Sequence, residues 1–260
     1  MYKHSKIIDA VVLLLLLLIA TWISLTGKVT FLMSTFLFFG LPAVYLSWRS
    51  PQHIKKTLFW TLIPWFLVSF IFEYLAYVDQ AWLVLGSAFR FLSNSFPIED
   101  VPWGFLWAYL PIIFWKHFLD KKGDYEAKFP KRIWWLIGSL VLVNAGFFWL
   151  YFWAREWLYL PYFYLVMGII FCVIPISLFI WRYPMFLKKL TVVAIYFTFL
   201  AGLKEYVALK LNYWVFPGTH FIGTIFLAGQ KLPLEEIIFF LILSAPAMVC
   251  WYEYFADDRK

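Results

Sequence analysis

Charge is what this sequence has least of. Only 14% of its 260 residues are Asp, Glu, Lys or Arg, against 64% that are hydrophobic. A soluble domain carries about 25% charged and about 45–50% apolar residues. A single soluble core of this size leaves most side chains at least partly at the surface, so it could not hide the surplus. That excludes a soluble globular class; lipid is the solvent in which the surplus is harmless. Cysteine is nearly absent. Cys172 and Cys250 both lie in apolar runs and read as small hydrophobes, not as a disulfide framework or a metal site. The four histidines, at 4, 53, 117 and 220, are scattered, so no metal constellation is expected. No Gly-x-Gly-x-x-Gly follows a strand pattern, so no dinucleotide or other soluble cofactor is expected.

What is abundant is long apolar sequence. Crossing a bilayer takes about 20 mainly apolar residues in a helix. Eight such stretches occur, near 7–26, 29–48, 57–78, 98–119, 133–153, 158–181, 190–210 and 234–254. The first, with its Leu13–Leu18 run, resembles a signal peptide. It lacks a small-x-small cleavage site and the next stretch follows at once, so a retained helix is expected. The expected fold is all-α, a polytopic membrane helix bundle.

The basic residues set an orientation. Of the 22 Lys and Arg, 16 fall on the side that holds both termini, five on the other, and Lys204 lies inside a span. Basic loops stay in the cytoplasm, so a cell-membrane protein with both termini cytoplasmic is expected. The net charge of +7 then reads as a basic face against anionic lipid, not as a nucleic-acid footprint. The one frankly polar stretch, Lys116 to Arg132, contains Lys121-Lys122-Gly123-Asp124 and reads as a linker between halves.

Two motifs recur in the same order. Glu73-Tyr74 is followed by Trp82, nine residues after its glutamate; Glu205-Tyr206 is followed by Trp214 at the same distance. Next come Pro97-Ile98-Glu99-Asp100 and Pro233-Leu234-Glu235-Glu236. The offset is 132 residues for the first motif and 136 for the second, and Pro111 and Pro246 follow at nearly matching positions. Two four-helix repeats are expected, 1–120 and 133–260, joined by a cytoplasmic linker at 121–132. An even number of spans makes the copies parallel, with the site at their interface.

Six acids lie in or beside apolar sequence: Glu73, Glu99, Asp100, Glu205, Glu235 and Glu236. A charged side chain within a span costs about 2.5–3.5 kcal/mol on insertion scales, so each is a functional candidate. The plainer reading is that acids after Pro97 and Pro233 only complement a helix N-terminus. It does not cover Glu73 and Glu205, which have no helix start to serve. Adjacent acids point about 100° apart, so one of each pair is expected to face inward. A carboxyl group among apolar neighbours can remain protonated and act as an acid, and aromatic faces stabilise cations. Together these suit protonation of an alkene and protection of the carbocation. Most of the 16 Trp are expected at the bilayer edges. The connectors 82–96 and 214–232 are expected to dip back as caps over the site.

At Leu232-Pro233-Leu234-Glu235-Glu236-Ile237-Ile238-Phe239-Phe240 the chain resembles the membrane-integral lycopene cyclases of carotenoid formation, which occur as two small homologous subunits or as one fused chain. Pro97-Ile98-Glu99-Asp100 is similar to the first copy of their Pro-x-acid-acid motif. Glu205, Trp214 and Phe216-Pro217-Gly218, with Glu73 and Trp82, are similar to the preceding helix and connector. Two departures stand out: Glu205 is where the family often has Asp, and Val101-Pro102-Trp103-Gly104 replaces an apolar, Phe-rich run. The resemblance implies a redox-neutral isomerisation. An acid protonates the terminal alkene of lycopene, the neighbouring double bond closes a six-membered ring, and a base removes a proton to leave a β-ionone ring. It implies Glu235 and Glu99 as the principal acid/base pair across the repeat interface, in either order, Glu205 and Glu73 as supporting carboxyls, and Glu236 and Asp100 as alternates. Trp82, Trp214, Tyr74, Tyr206 and Phe239 are expected to bind a lipophilic polyene drawn from the bilayer, and association with other carotenoid enzymes is implied. Two other readings fit the same residues: a terpene cyclase for another polyprenyl or C50 carotenoid chain, and a proton-coupled transporter.

Overall fold

A computed structural model describes residues 2–85, 87, 89–92, 95–120 and 130–256, with side chains from residue 6 onward. Eight helices fall on the eight expected stretches: α1 (Tyr2–Gly27), α2 (Phe31–Arg49), α3 (Ile54–Asp79), α4 (Asp100–Phe118), α5 (Lys131–Trp153), α6 (Phe163–Arg182), α7 (Leu187–Lys210) and α8 (Glu236–Phe255). Among the described residues, seven are long and apolar enough to cross a bilayer. The chain is a multi-pass membrane protein. The remaining helix, α4, carries several Trp, two Pro, Lys116 and His117. It packs against α2, α3 and α8 and buries most of its residues, so it has little need of a lipid-compatible surface. On the outer helices the reverse holds: Leu15, Leu18 and Trp22 of α1 and Trp135, Leu142 and Phe152 of α5 are exposed, as a lipid-facing surface requires.

Proline shapes three of the spans. π turns at Phe36–Gly40, Ile169–Val173 and Glu236–Leu243 precede Pro42, Pro175 and Pro246. A proline has no N–H and its ring crowds the carbonyl four residues back; a π turn accommodates both effects. The expected linker at 121–132 lies outside the described residues from 121 to 129, and α5 already begins at Lys131. At the end holding the termini, Asp9 of α1 accepts from Tyr45 Oη (2.6 Å) and Arg49 Nε (2.8 Å) of α2 and lies 2.8 Å from His117 Nε2 of α4. This buried network fixes the first helix to the central one.

The connectors at the other end are strands where re-entrant caps were expected. β2 (Arg90–Phe91) pairs with β3 (Phe96–Pro97), and β5 (Thr224–Leu227) with β6 (Gln230–Pro233). Each hairpin ends at the proline that opens α4 or α8. Between the hairpins and the preceding helices, β1 (Leu83–Val84) runs antiparallel to β4 (Trp214–Val215). Leu83 pairs with Val215, the residue 132 positions further on, so the ladder is centred on two matching positions.

Candidate active site

The Glu-to-Trp spacing has a local cause. α3 runs six residues past Glu73 and then reverses at Gln80, whose φ is +57°; α7 reverses at Asn212, φ +55°. Ala81 N donates to Ala76 O (2.8 Å) and Tyr213 N to Ala208 O (2.9 Å), the bond pattern that closes a helix through a left-handed residue. The returning chain brings Trp82 Nε1 to Glu73 Oε2 at 3.2 Å and Trp214 Nε1 to Glu205 Oε1 at 3.0 Å.

Each glutamate then meets the second acid of the following motif. The carboxyl of Glu73 lies beside that of Asp100, and the carboxyl of Glu205 beside that of Glu236, close enough to interact electrostatically. All four residues are at most 5% exposed. Two neighbouring carboxyls can bond to each other only when one of them carries a proton, so each pair is a candidate store for one exchangeable proton. Among the described residues, one oxygen each of Asp100, Glu205 and Glu235 has no hydrogen-bond partner. Arg90, on the first hairpin, acts electrostatically on both members of the first pair. Lys204 does so on Glu205.

The expected division within each motif is corrected. Glu99 accepts from Ser87 Oγ, and Glu235 Oε1 accepts from Ile222 N at 2.6 Å. Both are turned toward their own connectors and tie a hairpin to the start of a helix, while Asp100 and Glu236 face inward. The rotation of about 100° per residue allows only one acid of each pair inside, and the hairpin takes the first. Glu99 and Glu235 are therefore not brought together across the centre. Tyr74 and Tyr206 are also turned away for the same reason. Tyr74 packs on Phe147 and Tyr151 of α5, and Tyr206 is exposed at the surface.

Glu73, Asp100 and Glu236 open into one cavity bounded by α3, α4, α5, α6 and α8, with about 1610 Å³ free of protein atoms, its open side included. Trp82, Trp214 and Phe239 line it as expected, and Trp103 joins them. From Trp60 to Glu73 along α3 it is roughly 20 Å long at about 1.5 Å per residue. Its wall is almost wholly aromatic and aliphatic, with the carboxyls gathered at the hairpin end. Glu205 stands behind Glu236, outside the lining.

One wall residue escaped the sequence reading. Tyr164 of α6 donates its hydroxyl to Glu236, and its ring lies 5.3 Å from Trp82. A single chain of contacts thus runs from Glu73 through Trp82 and Tyr164 to Glu236. A signal for it exists in the sequence. Trp48-Arg49-Ser50-Pro51 with Lys55-Lys56, and Trp181-Arg182-Tyr183-Pro184 with Lys188-Lys189, recur at an offset of 133. That register aligns α2 with α6 and sets Phe31 against Tyr164. Phe31 meets Trp214 edge-on at 5.5 Å, as Tyr164 meets Trp82. No family model, curated protein or solved structure matches the chain.

Proposed function

We propose that the chain is a membrane cyclase of a linear polyene, of the lycopene type, built from two diverged four-helix units. The observation that carries this reading is the pair of buried, neighbouring carboxyl couples at the head of a long, aromatic, lipid-compatible cavity. The recurrence of the π turns, the left-handed helix ends, the Glu–Trp bonds and the hairpins at offsets of 132–136 residues supports the two units. The resemblance at Pro233-Leu234-Glu235-Glu236 supports the substrate class.

In this reading the polyene lies along α3 with its end at the carboxyls. Asp100 is the proton donor: of the carboxyls with an unpartnered oxygen, it is the one that faces the cavity, so it is suited to carry the proton itself. The proton adds to the terminal alkene and leaves a tertiary cation. The π faces of Trp82, Trp103 and Trp214 stabilise that cation. The neighbouring double bond attacks it and closes the ring. Glu236, which receives the Tyr164 hydroxyl, removes the ring proton. One proton enters, one leaves, and no electrons are exchanged. Proton exchange between the couples restores the starting state.

Purified protein in lipid is expected to cyclise lycopene without nucleotide, flavin or oxygen. In deuterium oxide each new ring gains one solvent-derived hydrogen. Rings free of deuterium from pre-equilibrated protein would overturn the acid-initiated step. Feeding other polyprenyl chains separates lycopene from C50 substrates. The charge bias supports cytoplasmic termini, so a reporter fused after Lys260 is expected to be active in the cytoplasm.

A further inference from the structure

The two units imply two matching cavities, yet among the described residues one is open and the positions matching its wall are filled. The open cavity is walled by Trp65, Val68 and Phe72 of α3 and by Phe171 and Cys172 of α6. The matching positions, 132 residues on for α3 and 133 back for α6, are Phe197, Leu200, Lys204, Phe38 and Phe39. All five are completely buried, at 0% exposure. They fill the space between α2, α4 and α7. Phe39 lies 5.3 Å and Phe197 5.9 Å from Trp107. Lys204 takes the place of Phe72. Its Nζ donates to Ser34 Oγ at 2.9 Å and lies 5.1, 5.9, 4.8 and 5.5 Å from the ring centroids of Phe31, Phe38, Tyr213 and Trp214. On the filled side the rings of Phe38 and Tyr213 are thus engaged by an amino group.

We infer that this chain has a single polyene site, its twin being closed by Phe39, Phe197 and the Lys204 plug, so that it processes one end of a two-ended substrate at a time. The inference rests on the proposed polyene chemistry and adds stoichiometry and order to it. A substrate with two reactive ends must leave after the first ring and return reversed. The one-ring product is then a free intermediate, not a bound one.

The test uses the full chain in lipid nanodiscs and a linear C40 polyene with both terminal double bonds saturated, which binds but cannot react. Trp82, Trp103 and Trp214 line the cavity, so the polyene quenches tryptophan fluorescence as it enters. Saturation is expected at one polyene per chain. Cys172→Phe with Val68→Leu installs the closed-side residues in the open cavity and is expected to weaken binding by at least about tenfold. Phe39→Leu, on the closed side, leaves the stoichiometry at one. Saturation at two per chain, or unchanged binding in the Cys172→Phe/Val68→Leu protein, overturns the single site even if lycopene is cyclised. One polyene per chain without any cyclisation of lycopene sustains the single site and overturns the catalytic reading. No saturable quenching by the unmodified chain overturns the site as a polyene site.

Discussion

Glu73–Asp100 and Glu205–Glu236 hang on the same hydrogen-bond frame, but among the described residues only the second couple receives a phenol. Tyr164 donates to Glu236, while the matching ring beside Trp214 is Phe31. The surroundings differ as well. The first couple looks into the cavity with both members. The second shows it only Glu236, and Glu205 is backed by Lys204 and the filled side. The difference teaches how a recurring hydrogen-bond pattern can carry two unlike groups. The shared frame fixes two carboxyls in matched positions, and in the proposed reading single side chains around them decide which holds a proton and which receives one.

The largest expected effects come from removing the cavity-facing member of each couple. Asp100→Asn and Glu236→Gln keep the shape but cannot exchange a proton. Each is expected to lower cyclisation by about 10²–10⁴-fold, read by pigment analysis in a lycopene-accumulating host with membrane insertion unchanged. Full activity in either variant would break the acid–base assignment. Losing only one of the two would show that a single couple does both steps.

Tyr164→Phe sharpens the contrast, because it turns the second couple into a likeness of the first. A hydrogen bond to a charged group contributes about 1.5–3 kcal/mol, so turnover is expected to fall roughly 10- to 100-fold. An unchanged rate would mean that the phenol does not set the role of Glu236.

Smaller losses are expected at Glu99→Gln and Glu235→Gln. These side chains hold connectors, and glutamine still accepts from Ser87 or Ile222. The effect belongs on stability, about 1 kcal/mol or less, seen as a modest drop in thermal midpoint in detergent with turnover near normal. A catalytic collapse at Glu235→Gln accompanied by normal stability would return the principal role to the first acid of the motif.

Sequence alone determined the solvent, the number of helices and the polar motifs. Eight apolar stretches leave a chain this poor in charge no stable home in water, and a helix is the form that satisfies every backbone group within its own segment in lipid. Glu73 and Glu205 were legible because an acid inside a span is rare, and their partners because Pro233-Leu234-Glu235-Glu236 has an earlier copy. Only the tertiary structure decided which acid of each motif turns inward. That choice depends on where the preceding hairpin ends, since each residue rotates the helix by about 100°, and short strands leave little trace in so apolar a sequence. Only the structure paired Tyr164 with Glu236, residues 72 positions apart. It alone showed one cavity open and its counterpart filled, because packing depends on side chains meeting from α2, α4, α6 and α7. Those neighbours are made by the fold and are not adjacent in the chain.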